Sequence, residues 1–237
     1  IPNGVLSVKS GPAMAAASAY RINIKGVQTH GSTPWSGIDP IMATAELIES
    51  LNTIVSRRIN IINNPAVVSV GLVKAGTRNN IIPEDAQIMG TIRTFDPLLR
   101  KQIYEEIEQI AKGVALGTGT EISVEFDVGG FYPVTFNEPK LVNAMKGSLM
   151  EASPGRFYES NIPVTGAEDF SYFSQEVPGM YFWLGINKPG VGLESANFGE
   201  RTDVAGNHSP YFYVDDSALD EGVRAFVYLI DDYPVKF

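Results

Sequence analysis

DAQIMGTIRTFDPLLRKQIYEEIEQIAKGVALGTGTEISVEFDV, residues 85–128, holds a strand, a helix and a second strand in one run. Residues 85–95 read as a strand. Asp96-Pro97 then starts a helix, because aspartate caps free backbone N–H groups and proline suits the first helical position. Leu99, Ile103, Ile107, Ile110 and Val114 step by three or four and share one face, and Gly117 and Gly119 end the run. Residues 120–128 alternate, which turns Ile122, Val124, Phe126 and Val128 inward.

The same grammar appears once more upstream. AYRINIKG, residues 19–26, alternates with Tyr20, Ile22 and Ile24 on one side and Arg21, Asn23 and Lys25 on the other. Asp39-Pro40 repeats the helix start, and residues 39–56 carry Ile41, Ala45, Ile48, Leu51 and Val55 as an expected buried stripe. Residues 66–74, AVVSVGLVK, supply the remaining strand, and the turn-rich KAGTRNNIIPE follows it. The order is β-α-β-β-α-β. One-sided strands and single-striped helices predict a four-stranded antiparallel sheet with both helices on one face, the ferredoxin-like arrangement, over residues 15–128.

Residues 129–237 have a different texture, rich in glycine, proline and aromatics. Helices are expected at about 138–152, 168–176 and 216–231, and strands at about 160–164 and 180–185. Leu219, Val223, Phe226 and Ile230 form the expected stripe of the last helix. The region is poor in strands for a closed core. Residues 1–14 and 129–237 are therefore expected to belong together, to an incomplete α/β domain into which residues 15–128 are inserted.

Composition narrows the function classes. The 237 residues are 44% hydrophobic and 19% charged, so a folded core is within reach. Net charge is −9, from 18 basic and 27 acidic groups, and no basic run offers a nucleic-acid face. No stretch reaches the roughly 18 apolar residues that span a bilayer. With no cysteine, thiol nucleophiles, disulfides and cysteine metal sites all drop out. These features leave the cell compartment open.

Chemistry has few places to reside. The chain has two histidines. His208 sits in GNHSPYF, a polar loop, where it is either a metal ligand or a loop histidine bonded to backbone. His30 sits in THGSTPW, beside a glycine that lets a ligand approach the backbone; an exposed turn residue is the plain alternative. Thr165-Gly166-Ala167-Glu168-Asp169-Phe170 places two acids before a helix, where they either act in a site or only cap the helix. Asn79 and Asn80 precede Ile81-Ile82-Pro83 in what could be only a turn. Arg93 lies on the polar side of its strand, a solvated rung or a bidentate carboxylate binder. There is no Gly-rich phosphate loop and no Gly-x-Ser-x-Gly elbow.

Five segments in series, IPNG with GPAMAA, HGSTPWSGIDPI, NNIIPEDAQIMGTIRTF, GAEDFSYFSQEVPGMYFWLG and NHSPYFYVDDSALDEGV, resemble the aminoacylase-like zinc metallopeptidase family. The branch they resemble holds hippurate hydrolases, N-acyl-amino-acid amidohydrolases and auxin-conjugate hydrolases. The resemblance implies a ferredoxin-like lid, which also forms a homodimer, inserted in a metal-binding α/β domain. It implies hydrolysis of the amide bond of an N-acyl amino acid or small peptide by metal-activated water, with zinc, manganese, cobalt or nickel as the metal. By the same resemblance His208 matches a metal ligand. His30 matches the lid histidine that reaches a partner subunit's site, and Asn80 a substrate-holding asparagine. Gly166 and Glu168 match the wall of the substrate pocket.

Two departures matter. Trp35 stands where many members of that branch have a second histidine. The half of the family's catalytic domain that carries the other metal ligands and the general base has no counterpart here. This chain alone is therefore expected to be inactive and to hold no metal tightly. A different class of reading is a non-catalytic dimerisation and substrate-binding module; a weaker one is an unrelated ferredoxin-like regulatory module.

Overall fold

Among the described residues, seven short strands accompany the six long elements that the alternation and the two Asp-Pro pairs anticipate. The computed structural model describes residues 1–62, 64–187 and 205–237. In chain order it holds β1 (Leu6–Val8), β2 (Gly11–Met14), β3 (Ala16–Lys25), β4 (Thr29–His30), α1 (Pro40–Thr53), β5 (Ala66–Ala75), β6 (Ile81–Ile82), β7 (Asp85–Thr94), α2 (Pro97–Thr118) and β8 (Glu121–Tyr132). There follow β9 (Thr135–Asn137), α3 (Pro139–Ala152), β10 (Phe157–Glu159), α4 (Phe170–Glu176), β11 (Phe182–Leu184) and α5 (Leu219–Lys236). Residues group into two units. One is Ile1–Ala13, Thr135–Val164 and Phe170–Phe237; the other is Met14–Val134 with Thr165–Asp169. No helix among the described residues is long and apolar enough to cross a membrane.

The second unit has the ferredoxin-like arrangement. Its sheet runs β5-β7-β3-β8, every pairing antiparallel. The Asp39 carboxylate accepts from the Ile41 N–H at 2.8 Å and the Asp96 carboxylate from the Leu98 N–H at 2.8 Å, so both Asp-Pro pairs cap their helices. Gly119 closes α2 in the left-handed region, at φ 74°. Tyr20, Ile22 and Ile24 of β3, Ile88 and Ile92 of β7, Leu47 and Leu51 of α1, and Ile103 and Ile107 of α2 form one core, which places both helices on one sheet face. Each such fully buried side chain contributes about 1.5–3 kcal/mol. The other face is polar: Arg21 and Asn23 both reach Glu125, at 3.1 and 2.8 Å, and Gln87 donates to Asn23 at 3.0 Å.

Gly90 marks a close approach inside the sheet. It faces Tyr20 across the β3–β7 ladder, and the Tyr20 ring occupies the place where a Cβ would be. The buried Tyr20 hydroxyl donates to the Ser69 carbonyl at 3.1 Å, and burial pushes its pKa up to about 12.

Two expectations for this unit fail in detail. Ile41 and Ala45 of the expected α1 stripe are exposed, and the buried face is Ala43, Leu47 and Leu51, continued by Ile54. Gly26 leaves room for Pro40 to lie against it, which fixes the rotation of α1. Two adjacent stripes of that helix are apolar, and spacing alone does not choose between them. Val128 also falls outside the core. Ser18 pairs with Phe131 while Tyr20 pairs with Phe126, so residues 127–130 bulge out of β8. Asp127 takes φ 56°, with Gly129 and Gly130 also at positive φ. Tyr104 pins the bulge: its ring stacks on Phe126 at 3.9 Å, and its hydroxyl donates to the Asp127 carboxylate at 2.6 Å. Burial, then that hydrogen bond, pushes Tyr104 up to about 12.

The first unit is thinner. A three-stranded sheet, β10-β1-β11, and the β2–β9 pair carry it. Leu6, Val8, Val142, Leu149, Ala152 and Ala225 make its core, with Phe182, Leu184 and Leu229 packed around them. Glu221, almost wholly buried, is held by Arg156 at 2.5 Å and Arg224 at 3.0 Å. The strand expected at 160–164 lies earlier, at β10, which pairs parallel to β1 with Leu6 opposite Phe157. Gly155 at φ 71° turns the chain straight out of α3, and Ser160 accepts from the Ile162 N–H at 3.2 Å where the strand was expected. The expected stripe of α5 is the larger correction. Leu219, Val223, Phe226 and Ile230 are 48–69% exposed. The helix packs instead through its small residues, with Ala225 buried and Gly222 against Leu184. Small side chains allow close approach, Leu229 also reaches the core, and the four residues of the expected stripe are left largely exposed.

Candidate functional site

The loop from Val27 to Ile38 is tied at its base by two backbone bonds between those residues, of 2.9 and 3.0 Å. Inside it, β4 pairs antiparallel with β6, Thr29 opposite Ile82 and His30 opposite Ile81. One step on, the Gly31 N–H donates to the Asn80 carbonyl at 2.8 Å. A Cβ on Gly31 would sit 3.1 Å from that carbonyl oxygen, so glycine is what lets the two backbones meet. This ribbon brings His30 and Asn80, fifty residues apart in sequence, onto neighbouring rungs, and both are exposed.

The chain then turns tightly, with the Thr33 N–H bonding back to the His30 carbonyl at 2.9 Å. Inside the turn the His30 Nδ1 accepts from the Ser32 N–H at 3.1 Å and lies 2.7 Å from the Ser32 hydroxyl. Trp35 is 79% exposed on the same loop. Ser32 was not singled out from sequence; its only signal was its place two residues after a histidine, across a glycine. Arg93 is half-buried on the polar sheet face, opposite Ala17 and Val67, and makes no ion pair among the described residues.

Gly166 and Glu168 lie half-buried in the segment Thr165–Asp169, just before α4. The Glu168 carboxylate accepts from the Asp169 N–H at 3.1 Å, a local bond at the approach to the helix.

His208 stands in another turn, closed by the Ser209 N–H bonding to the Gly206 carbonyl at 3.1 Å. It is exposed, and its φ of 70° puts it in the left-handed region, uncommon for any residue but glycine. Downstream, the Asp215 carboxylate accepts from the Ser217 N–H at 3.0 Å and from its hydroxyl at 2.5 Å. Those bonds hold the Asp215 carboxyl below its ordinary range. The Ser217 hydroxyl in turn accepts from the Asn3 amide at 2.7 Å, so the IPNG segment and the segment after His208 are stitched together. Sequence spacing gives no hint of that tie.

Among the described residues no group of three or more His, Asp or Glu side chains could hold a metal ion. One imidazole at His208 does not make a site that needs three or four protein ligands. The ligand set implied by the resemblance is thus incomplete among these residues.

Comparison with known proteins fits these observations. Residues 16–118 match the model of a peptidase dimerisation domain. The chain is 34% identical over 228 residues to thermostable carboxypeptidase 2 of Saccharolobus solfataricus, covering 96% of this chain and 54% of that protein. It is 33% identical over 229 residues to the N-acetylcysteine deacetylase of Bacillus subtilis, covering 97% and 55%. A Bacillus subtilis crystal structure, described as a dinuclear metal binding peptidase from the M20 family, superposes with a TM-score of 0.73 at 28% identity, over 99% of this chain and 55% of that one. The chain spans about half the length of the relatives it matches. It belongs to the M20 family of peptidases and amidohydrolases, and residues 16–118 are its dimerisation domain.

Proposed function

We propose that this chain is the lid and the C-terminal part of a longer, metal-dependent amidohydrolase that cleaves the amide bond of N-acyl amino acids or small peptides. In this reading residues 15–128 are the lid, and residues 1–14 and 129–237 belong to the metal-binding domain. The observation that carries it is the His30–Asn80 ribbon, set in a chain similar along nearly its whole length to a carboxypeptidase and a deacetylase. The outward face of α5 supports the longer protein. Leu219, Val223, Phe226 and Ile230 have the spacing of a face that a helix turns toward a core, and among the described residues they stay largely exposed, Phe226 touching the Phe182 ring at 5.4 Å.

Each site residue then has a task. His208 is one imidazole ligand of a divalent metal (zinc, manganese, cobalt or nickel), with the remaining ligands supplied by the rest of that domain. His30 donates a hydrogen bond to the oxygen that gains charge as the amide carbonyl becomes tetrahedral. A donor of that kind stabilises the transition state more than the ground state. Asn80, Gly166 and Glu168 hold the substrate. Because His30 is carried on a dimerisation domain, it serves the site of a partner subunit in a homodimer. The edge strand β5 of the lid sheet offers unpaired backbone groups for that pairing.

A second reading has its own observation. With no complete ligand group among the described residues, the chain as it stands is a dimerisation and substrate-binding module without catalysis. The experiment that separates the two is release of free amino acid from N-acetyl amino acids. The longer protein should turn over and lose activity to a chelator, while this chain alone stays inactive. Failure of the longer protein on every N-acyl amino acid and dipeptide would remove the first reading.

A further inference from the structure

We infer that Ser32 is the positioning residue that fixes the tautomer of the neutral His30 ring, with its proton on Nε2 as a hydrogen-bond donor. The use of that donor on substrate rests on the function proposed above; the tautomer itself does not.

A backbone N–H only donates. The Ser32 N–H points at Nδ1 of His30 at 3.1 Å, so Nδ1 must offer its lone pair. The Ser32 hydroxyl, 2.7 Å from the same nitrogen, is compatible with either tautomer, because it can donate or accept. Were the proton on Nδ1, the hydroxyl would accept it, but two N–H dipoles would then face each other and the Ser32 N–H would lose its acceptor. The backbone bond therefore decides: neutral His30 carries its proton on Nε2.

The direction of that N–H is not an accident of one flexible side chain. The Thr33 N–H bonds to the His30 carbonyl at 2.9 Å, and the Thr33 hydroxyl lies 3.3 Å from the same oxygen. The Gly31 N–H is held by the Asn80 carbonyl. The peptides on either side of the Gly31–Ser32 peptide are thus pinned, which restricts the direction of the Ser32 N–H before any ligand arrives. Nε2 lies on an exposed ring and has no partner among the described residues. The ring is held by its inner nitrogen and offers an N–H to whatever binds outside. A group so arranged donates to a carbonyl oxygen or oxyanion and does not act as a base. It is a donor fixed in advance, which is the property that makes an oxyanion contact effective.

The test uses the chain itself, labelled with 15N-histidine. With two histidines in the sequence, two ring systems appear in a two-bond 1H–15N correlation spectrum, and His208→Asn assigns them. At a pH well above the ordinary histidine range, His30 should show the Nε2–H pattern alone, not the mixture of an unrestrained imidazole. Ser32→Ala keeps the backbone N–H and should keep the pattern. Ser32→Pro removes that N–H and should return His30 to the mixture. A wild-type His30 in the Nδ1–H form, or in the mixture, overturns the inference, and that reading needs no variant to fold.

In the longer protein Ser32→Pro should lower kcat with KM little changed, and by less than His30→Ala does. If His30→Ala leaves kcat unchanged while the tautomer is as inferred, the proposed function fails and the Ser32 lock stands. If His30→Ala abolishes turnover while the wild-type tautomer is wrong, the lock fails and the function stands.

Discussion

α2 and α5 carry the same sequence signal and meet opposite fates. Each has large apolar residues at steps of three and four. In α2 all five stripe residues are buried, with Ile103 and Ile107 at 0% exposure. In α5 all four are exposed, with Val223 at 64% and Ile230 at 69%. Periodicity says which side chains share a face. Whether that face has a partner depends on what else the polypeptide provides. α2 has one within Met14–Val134, where a four-stranded sheet receives it. α5 packs through Ala225 and Gly222, and its bulky face waits for the rest of a domain, in the reading proposed here.

The largest effect expected across this contrast is catalytic. In the longer protein His30→Ala should lower kcat by about 10²–10³-fold, measured on the best N-acyl substrate, with a much smaller change in KM. An unchanged kcat would return His30 to the status of an exposed turn residue.

Core truncation sharpens the comparison directly. Ile107→Ala in this chain should cost about 2–5 kcal/mol, as large-to-small changes in packed cores do. Ile230→Ala should stay within about 0.5 kcal/mol, as exposed substitutions do. Urea unfolding of both variants, in this chain and in the longer protein, checks the pair. In the longer protein Ile230→Ala should become strongly destabilising. If it remains neutral there, the α5 face is not an internal surface of that domain.

Smaller effects are confined to Met14–Val134. Asp96→Ala deletes the carboxylate that caps α2 and should cost about 1 kcal/mol, read from the same unfolding curves. Tyr104→Phe removes the bond to Asp127 at the β8 bulge, and should cost about 1 kcal/mol. Tyr104 also carries a pH signature. Its folded pKa, about 12, lies above the ordinary tyrosine value of 10, so its contribution is complete below pH 10 and is lost as pH rises through 12. Wild type should therefore lose its advantage over Tyr104→Phe in that window, followed by fluorescence.

Most of the ferredoxin-like unit was legible because its signals are local. Alternation in residues 19–26 and 120–126, the Asp-Pro caps at 39–40 and 96–97, and Gly119 each act through neighbours in sequence. What was not legible depends on distant packing. Nothing in residues 39–56 says that Leu47 rather than Ile41 faces the sheet, because that is settled by Pro40 against Gly26. Nothing in SVEFDVGG says that residues 127–130 leave the ladder, although two adjacent glycines after an aspartate were a warning. The candidate site divides in the same way. His30 and His208 stood out because the chain has two histidines. Ser32 did not, because a backbone N–H leaves no trace in side-chain chemistry. The Asn3–Ser217 tie joins residues 214 positions apart.

If residues 1–14 and 129–237 belong to a metal-binding domain, as proposed above, His208 is one of its ligands. Elemental analysis after dialysis, of the longer protein with and without His208→Ala and of this chain alone, tests it most directly. The longer chain should then hold divalent metal, its His208→Ala variant should hold less, and this chain alone should hold none tightly. Equal metal content in the longer protein and its His208→Ala variant, or near-stoichiometric metal in this chain, would contradict it.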